Sequence, residues 1–158
     1  LLGGYYYGKT YFKILKNLKK HGYEKINIVI SEINFNESKK RIKSISKKIK
    51  VFKNTNNPGK YLYNSDLAIV GGGYTKIEAA IVNTPFISIG LHKHQYKLIE
   101  NFNKILNLPK IFVKKEQINL GLEKNISYFK KYNNRKLFIQ KLKKFAPKGT
   151  TKLTRLLN

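Results

Sequence analysis

Apolar runs of strand length alternate with amphipathic helical patterns along the 158 residues, and three consecutive glycines stand at one strand-to-helix junction. No internal repeat or coiled-coil pattern interrupts the alternation. These observations predict an α/β fold with a mainly parallel sheet, because parallel neighbours need a crossover connection and the crossover is usually helical. The expected architecture is a single Rossmann-like domain over residues 1–158: a doubly wound sheet of about six strands, helices on both faces and a helical C-terminus.

Each element has its own signal. Leu1-Leu2 reads as the end of a strand, and Lys9 to His21 as a helix with Phe12, Leu15 and Leu18 on one face. Ile26 to Ser31 is a second strand, rich in β-branched residues. Asn36 can cap a helix running to about Lys47, with Ile42, Ile45 and Ile49 inward. Lys50 to Phe52 is a short strand, Asn54 to Gly59 a polar loop, and Lys60 to Asn64 a brief helix leading into the strand Leu67 to Val70. After Gly71-Gly72-Gly73 comes a helix from about Tyr74 to Val82, ended by Asn83-Thr84-Pro85, and then the strand Phe86 to Ile89. A helix from about Gln95 to Leu106 precedes Pro109 and a last strand, Ile111 to Val113. Helices follow over Asn119 to Lys131, Arg135 to Phe145 and Thr150 to Leu157, with Pro147-Lys148-Gly149 separating the last two.

Composition bounds the function. The formal net charge is +25, yet of 33 basic residues only Arg41, Arg135 and Arg155 carry the bidentate guanidinium that base and phosphate recognition favours. Richness in Lys, Asn, Ile, Tyr and Phe is that of A/T-rich codons, and a solvated lysine face accounts for most of the charge. Between Tyr61 and Leu91 the only charged residues are Asp66, Lys76 and Glu78, so the basic drift spares the glycine segment. No specific nucleic-acid partner is expected. The lysine exterior is compatible with peripheral contact to an anionic membrane, and a basic nucleic-acid or anionic-surface module is the competing reading from another class. The sequence holds no cysteine, hence no disulfide or Cys-based metal site, in keeping with a cytoplasmic setting at or near the inner face of the membrane. It opens Leu1-Leu2-Gly3 and contains no methionine, so we expect a piece of a longer protein.

The stretch Leu67 to Glu78 carries the most chemistry. A helix start presents unpaired N–H groups and the positive end of its dipole, and glycines admit an anion without a Cβ in the way. A tight turn alone would use one or two glycines, since each costs backbone entropy. Glu78 lies one turn inside the helix, where its carboxylate can reach sugar hydroxyls, and Lys76 is the nearest lysine that could assist a phosphate. In a doubly wound sheet this turn and the opening Gly3-Gly4 turn flank one crevice. His92-Lys93-His94-Gln95 follows the next strand toward the same crevice, where His94 and Gln95 suit sugar or phosphate contacts better than a metal. His21 sits at a helix end, where capping of the dipole explains it.

Two further patterns compete. Gly3-Gly4-Tyr5-Tyr6-Tyr7-Gly8-Lys9-Thr10 matches G-x-x-x-x-G-K-[ST] literally, with Lys9 for terminal phosphates and Thr10 for magnesium. Three tyrosines crowd that loop, however, and Ile28 to Glu32 is a poor candidate for the strand that must supply a metal-binding acid. No Ser-His-Asp set, carboxylate pair or nucleophilic cysteine can be assembled, so neither a catalytic residue nor a metal or cofactor is assigned.

The segment Ser65 to Ala80, Ser-Asp-Leu-Ala-Ile-Val-Gly-Gly-Gly-Tyr-Thr-Lys-Ile-Glu-Ala-Ala, continuing through Asn83-Thr84-Pro85-Phe86 to Lys93-His94-Gln95, resembles the C-terminal domain of GT-B nucleotide-sugar enzymes. Its pattern is similar to that of the N-acetylglucosaminyl transferases of peptidoglycan synthesis (MurG-like). It is equally similar to the UDP-sugar hydrolases of pseudaminic acid synthesis (PseG-like) and related transferases of surface-polysaccharide pathways. The resemblance covers about thirty residues in motif and most of the chain in element order. It implies a UDP-sugar ligand, its diphosphate at the helix start from Gly72 to Thr75, its ribose on Glu78, and Gln95 on the donor sugar or phosphates. The uracil would lie against backbone near Lys53 and Asn54, with Gly3 and Gly4 across the cleft. Tyr74 stands where these families often carry Ser or Thr, leaving Thr75 to supply the hydroxyl, and Tyr5-Tyr6-Tyr7 replaces their usual small polar residue. Catalytic and acceptor groups would reside in an N-terminal partner domain of the same protein, which leaves transferase and hydrolase both open.

Overall fold

A computed structural model describes residues 2, 8–23, 25–30, 35–53, 55 and 57–145. Five strands and seven helices alternate through them: α1 (Gly8–Lys20), β1 (Asn27–Ile30), α2 (Phe35–Ile45), β2 (Lys50–Lys53), α3 (Pro58–Tyr63), β3 (Ala68–Gly71), α4 (Thr75–Ile81), β4 (Phe86–Gly90), α5 (Lys93–Ile105), β5 (Phe112–Lys114), α6 (Ile118–Lys130) and α7 (Tyr132–Leu142). A single 3-10 turn, Lys115–Gln117, leads into α6. The protein is therefore α/β with parallel pairing throughout.

The described strands form two sheets where one was expected: β1-β2, and β3-β4-β5 with β4 in the middle. Leu2, expected as a strand end, is buried at 4% exposure and carries no strand pairing. The expected sites Gly3, Gly4 and Asn54, the tyrosines 5–7, residues Ser31 and Glu32, and the terminal helix Thr150 to Leu157 lie outside the described residues.

Local chemistry explains most element ends. α1, α4 and α5 finish in the same Schellman motif, with a left-handed residue at Gly22, Asn83 and Asn107 respectively. In each, the following N–H reaches back five residues, as in Tyr23 to Leu18, Thr84 to Ala79 and Leu108 to Asn103 at 2.8–3.0 Å. α3 begins earlier than expected because Asn57 Oδ1 accepts from Lys60 N–H and Pro58 occupies the first turn, where a missing N–H costs nothing. α7 likewise starts at Tyr132, since Lys131 alone adopts an extended conformation between α6 and α7.

The core gathers on β4, whose five residues are all buried. Phe86 meets Phe138 of α7 edge-on at 5.3 Å, and Phe138 meets Phe129 of α6 at 5.1 Å. The apolar face of α1 is rotated from expectation. Tyr11, Ile14 and Leu15 are buried, whereas Phe12 is only half-buried and lies under the Arg41 guanidinium of α2 at 5.0 Å.

Candidate functional site

Parallel register pairs Gly71 with Ile89, so the turn after β3 and the turn after β4 end side by side at the carboxyl edge of the sheet. This is where ligands bind in open α/β sheets. The two turns touch. A Cβ on Gly72 would sit 2.9 Å from Gln95 Cβ and 2.9 Å from Ile99 Cδ1, both on α5. Of the expected site residues, Gly72 and Gln95 are thus brought together at this edge.

The three glycines serve three different purposes. None has a positive φ, so the turn does not use their conformational freedom. Gly71 makes room for main chain: its Cβ would lie 2.9 Å from the Leu2 carbonyl oxygen. Gly72 makes room for α5. Gly73 has nothing within 4 Å of a Cβ and is exposed. Packing therefore accounts for two glycines and leaves the third to an approach from solvent.

Around Gly73 the arrangement is open and polar. The N-cap of α4, Tyr74, makes no side-chain capping bond, so no side chain within α4 or its cap takes the first-turn N–H groups. Tyr74 is 82% exposed and offers an aromatic face beside them. Thr75 and Glu78 are half-buried and, three residues apart, lie along one side of the helix. Across the edge, Gln95 Oε1 accepts from Leu91 N–H at 2.8 Å, which fixes the amide and turns its Nε2 away from that turn. His94 is exposed and stacks on His92 with ring centres 5.6 Å apart. Among the described residues no three His, Asp or Glu side chains gather as a metal-binding group.

Lys76 corrects an expectation. Instead of reaching toward a phosphate, its side chain is 5% exposed and its ammonium donates to the carbonyls of Gly72 at 2.7 Å and Gly73 at 2.9 Å. It also lies 5.5 Å from the Phe102 ring centre. Burial pushes its pKa below the ordinary lysine value. Lys76 shapes the turn from beneath, its ammonium holding both carbonyls. The sequence did carry a signal, since Lys76 shares helical spacing with the buried Ala79 and Ala80.

Sequence reasoning also missed Tyr96 and Ile99, which wall the edge from α5. A Cβ on Gly90 would overlap the Tyr96 ring, and the Tyr96 hydroxyl donates to Glu116 at 2.6 Å. Of the rival P-loop, only Gly8, Lys9 and Thr10 are described; Lys9 is exposed and Thr10 is buried in the first turn of α1. An apolar cavity of about 250 Å³ lies between β1 and β3, and the glycine turn is not part of its lining. No helix among the described residues is long and apolar enough to cross a membrane. No protein-family model matches the chain, and no curated protein matches it.

Proposed function

We propose that the carboxyl edge formed by Gly72–Glu78 and Leu91–Gln95 holds the diphosphate and ribose of a UDP-sugar. On this reading the chain is the donor-binding half of a GT-B-type glycosyltransferase of cell-surface polysaccharide synthesis, built on one doubly wound, Rossmann-like sheet. The observation that carries the proposal is Gly73: a third glycine with no packing or conformational reason, exposed at a helix start without a side-chain cap, next to Gly72, which packs on Gln95. The two half-buried residues on α4, Thr75 and Glu78, supply a hydroxyl and a carboxylate about one helical turn apart.

The chemistry follows from charge. As the bond from the anomeric carbon to the phosphate oxygen breaks, the electron pair stays on UDP, and the acceptor oxygen bonds to the carbon. The acceptor's proton passes to a base in the partner domain. Fixed N–H dipoles at Gly73 to Thr75 stabilise the charge growing on the diphosphate, and they need no reorganisation to do so.

Thermal denaturation of the 158-residue chain with and without UDP tests the site. At about one hundred times Kd, UDP should add about 2.7 kcal/mol. For a chain of this length that is a rise in Tm of roughly 5–10 °C. Glu78→Ala should remove most of the rise, and an unaltered response in that variant takes Glu78 out of the ribose role. Stabilisation by ATP with magnesium but not by UDP would restore the P-loop reading. Release of free sugar from a UDP-sugar by the intact protein without acceptor would make it a hydrolase.

A further inference from the structure

At the amino edge of the same sheet, away from the glycine turn, β3 and β4 begin beside a cleft of about 530 Å³. Clefts that hold small ligands run to about 300–1,000 Å³. Ser65 and Asp66 before β3, and Asn83 to Pro85 before β4, form its floor, and α7 forms a wall. Side chains tie the floor down. Thr84 Oγ1 donates to the Leu62 carbonyl at 2.8 Å, and Ser65 Oγ donates to the Tyr61 carbonyl at 2.6 Å.

The wall carries the charge. Residues 132, 135, 136, 139, 140 and 143 line the cleft, a spacing of three and four that marks one side of α7. Arg135, Lys136 and Lys143 are among them, and Asp66 is the acid in the lining. The ion pairs among the described residues, Lys20 with Glu123 and Arg41 with Glu37, lie elsewhere, so the three cations are not neutralised by contact. Arg135 is also held in place: its Nη1 donates to the Phe129 carbonyl at 2.5 Å and to the Lys130 carbonyl at 3.1 Å. Its Nε and Nη2 donors remain for a ligand, and its guanidinium carbon lies 5.9 Å from the Tyr132 ring centre.

Two aromatic rings complete the lining. Tyr63 is 74% exposed and Tyr132 is 67% exposed, one from α3 and one from α7, so neither ring is spent on the core. Each offers a flat apolar face with a polar tip. Asn83 and Gln140 add amides that donate and accept. Cations call for an anion, ring faces for the C–H face of a pyranose, and amides with a carboxylate for neighbouring hydroxyls. A phosphodiester chain would meet the Asp66 carboxylate as a like charge, whereas a sugar hydroxyl donates to it.

We propose that this amino-edge cleft binds an acidic oligosaccharide, its carboxylates on the α7 cations, its ring faces on Tyr63 and Tyr132, and its hydroxyls on Asp66, Asn83 and Gln140. The four residues of β3 separate the cleft from the glycine turn by about 10 Å at 3.3 Å per residue, so one sugar ring cannot touch both. Its role is to hold a glycan chain to the domain. The proposal stands whether or not the carboxyl edge binds UDP.

NMR titration of the 158-residue chain with tetragalacturonate and with tetrasialic acid, at physiological ionic strength, tests it. At least one should give saturable amide shifts centred on residues 63–66, 83 and 132–143, unaltered by added UDP. Maltotetraose, which lacks the carboxylates, and a thymidylate pentamer, which lacks the hydroxyls, should bind at least about tenfold more weakly. Lys136 and Lys143 are exposed, so the double variant Lys136→Gln, Lys143→Gln should keep its Tm and weaken binding at least about tenfold. Tyr63→Ala should weaken it at least about threefold. No saturable shift at the cleft with either acidic sugar overturns the proposal, as does equal binding of maltotetraose. Equal binding of the thymidylate pentamer, or shifts spread over the lysines of other helices, overturns it in favour of a general polyanion surface. Unweakened binding in both variants overturns it as well.

Discussion

Alanine placed in turn at Gly71, Gly72 and Gly73 separates what packing demands of the turn from what a ligand would demand. At Gly72 the new methyl meets Gln95 Cβ and Ile99 Cδ1 at 2.9 Å and Gln95 Oε1 at 3.2 Å. Carbon pairs prefer about 3.5–4.0 Å. Ile99 can swing its terminal methyl, but Gln95 Cβ moves only with α5, and its amide holds the Leu91 N–H. Overpacking of this kind costs about 1–3 kcal/mol. Removing a glycine from the unfolded chain returns about 0.4–1 kcal/mol. The net loss at Gly72 is then about 1–2 kcal/mol, or a fall in Tm of roughly 2–8 °C. Gly71→Ala falls at least as far, because the clash is with the Leu2 main chain. Gly73→Ala meets nothing within 4 Å and needs no left-handed backbone, so it keeps only the entropic gain, a rise of roughly 1–4 °C. Circular-dichroism melts and urea titrations of the three variants read these shifts. A destabilised Gly73→Ala, or a neutral Gly72→Ala, refutes the division of labour drawn here. On the proposed function, Gly73→Ala should also lose most of the rise that UDP induces, although its fold is intact.

Other outcomes follow from single contacts. Lys76→Met keeps the buried stem but strips two charge-assisted hydrogen bonds from the Gly72 and Gly73 carbonyls; net of the relieved ammonium desolvation, urea denaturation should show a loss of about 1–3 kcal/mol. Because burial lowers the Lys76 pKa, the unfolded chain binds more protons just below the ordinary lysine value, so the stability difference between wild type and variant should widen as pH rises toward about 10.4. The Tyr96 hydroxyl holds the Glu116 carboxyl below the ordinary range, so its stabilisation is present above about pH 4.3 and is lost as pH falls through the depressed pKa. In Tyr96→Phe the NMR titration midpoint of Glu116 should move up; an unmoved midpoint removes that hydrogen bond as the cause. Ser88, fully buried on β4, has a hydroxyl without a partner among the described residues, so Ser88→Ala should be neutral or stabilising by about 1 kcal/mol, and a clear loss in urea melts would contradict this.

Element order and type were legible in the sequence because each signal is local: β-branched runs for the strands, and Asn83-Thr84-Pro85 where a helix ends. The candidate edge was legible in part for the same reason, since a strand followed by Gly71-Gly72-Gly73 and a helix must place that turn at a strand's carboxyl end. Facing relations were less secure. Phe12 and Leu15 fit a single apolar stripe in sequence, yet α1 is rotated so that Phe12 rests on Arg41, because what a helix buries depends on the neighbour it meets.

By itself, then, the sequence determined an α/β chain of parallel strands with one glycine-rich strand-to-helix turn, properties encoded in hydrophobic period and backbone preference over a few residues. Tertiary structure decided how that turn is made. It set Leu2 against Gly71 and α5 against Gly72, left Gly73 open, and drew Lys76 beneath the turn rather than toward an anion. Among the described residues it sorted the strands into two parallel sheets. These are contacts between residues distant in sequence, and their distances depend on how whole elements pack, which no local pattern specifies.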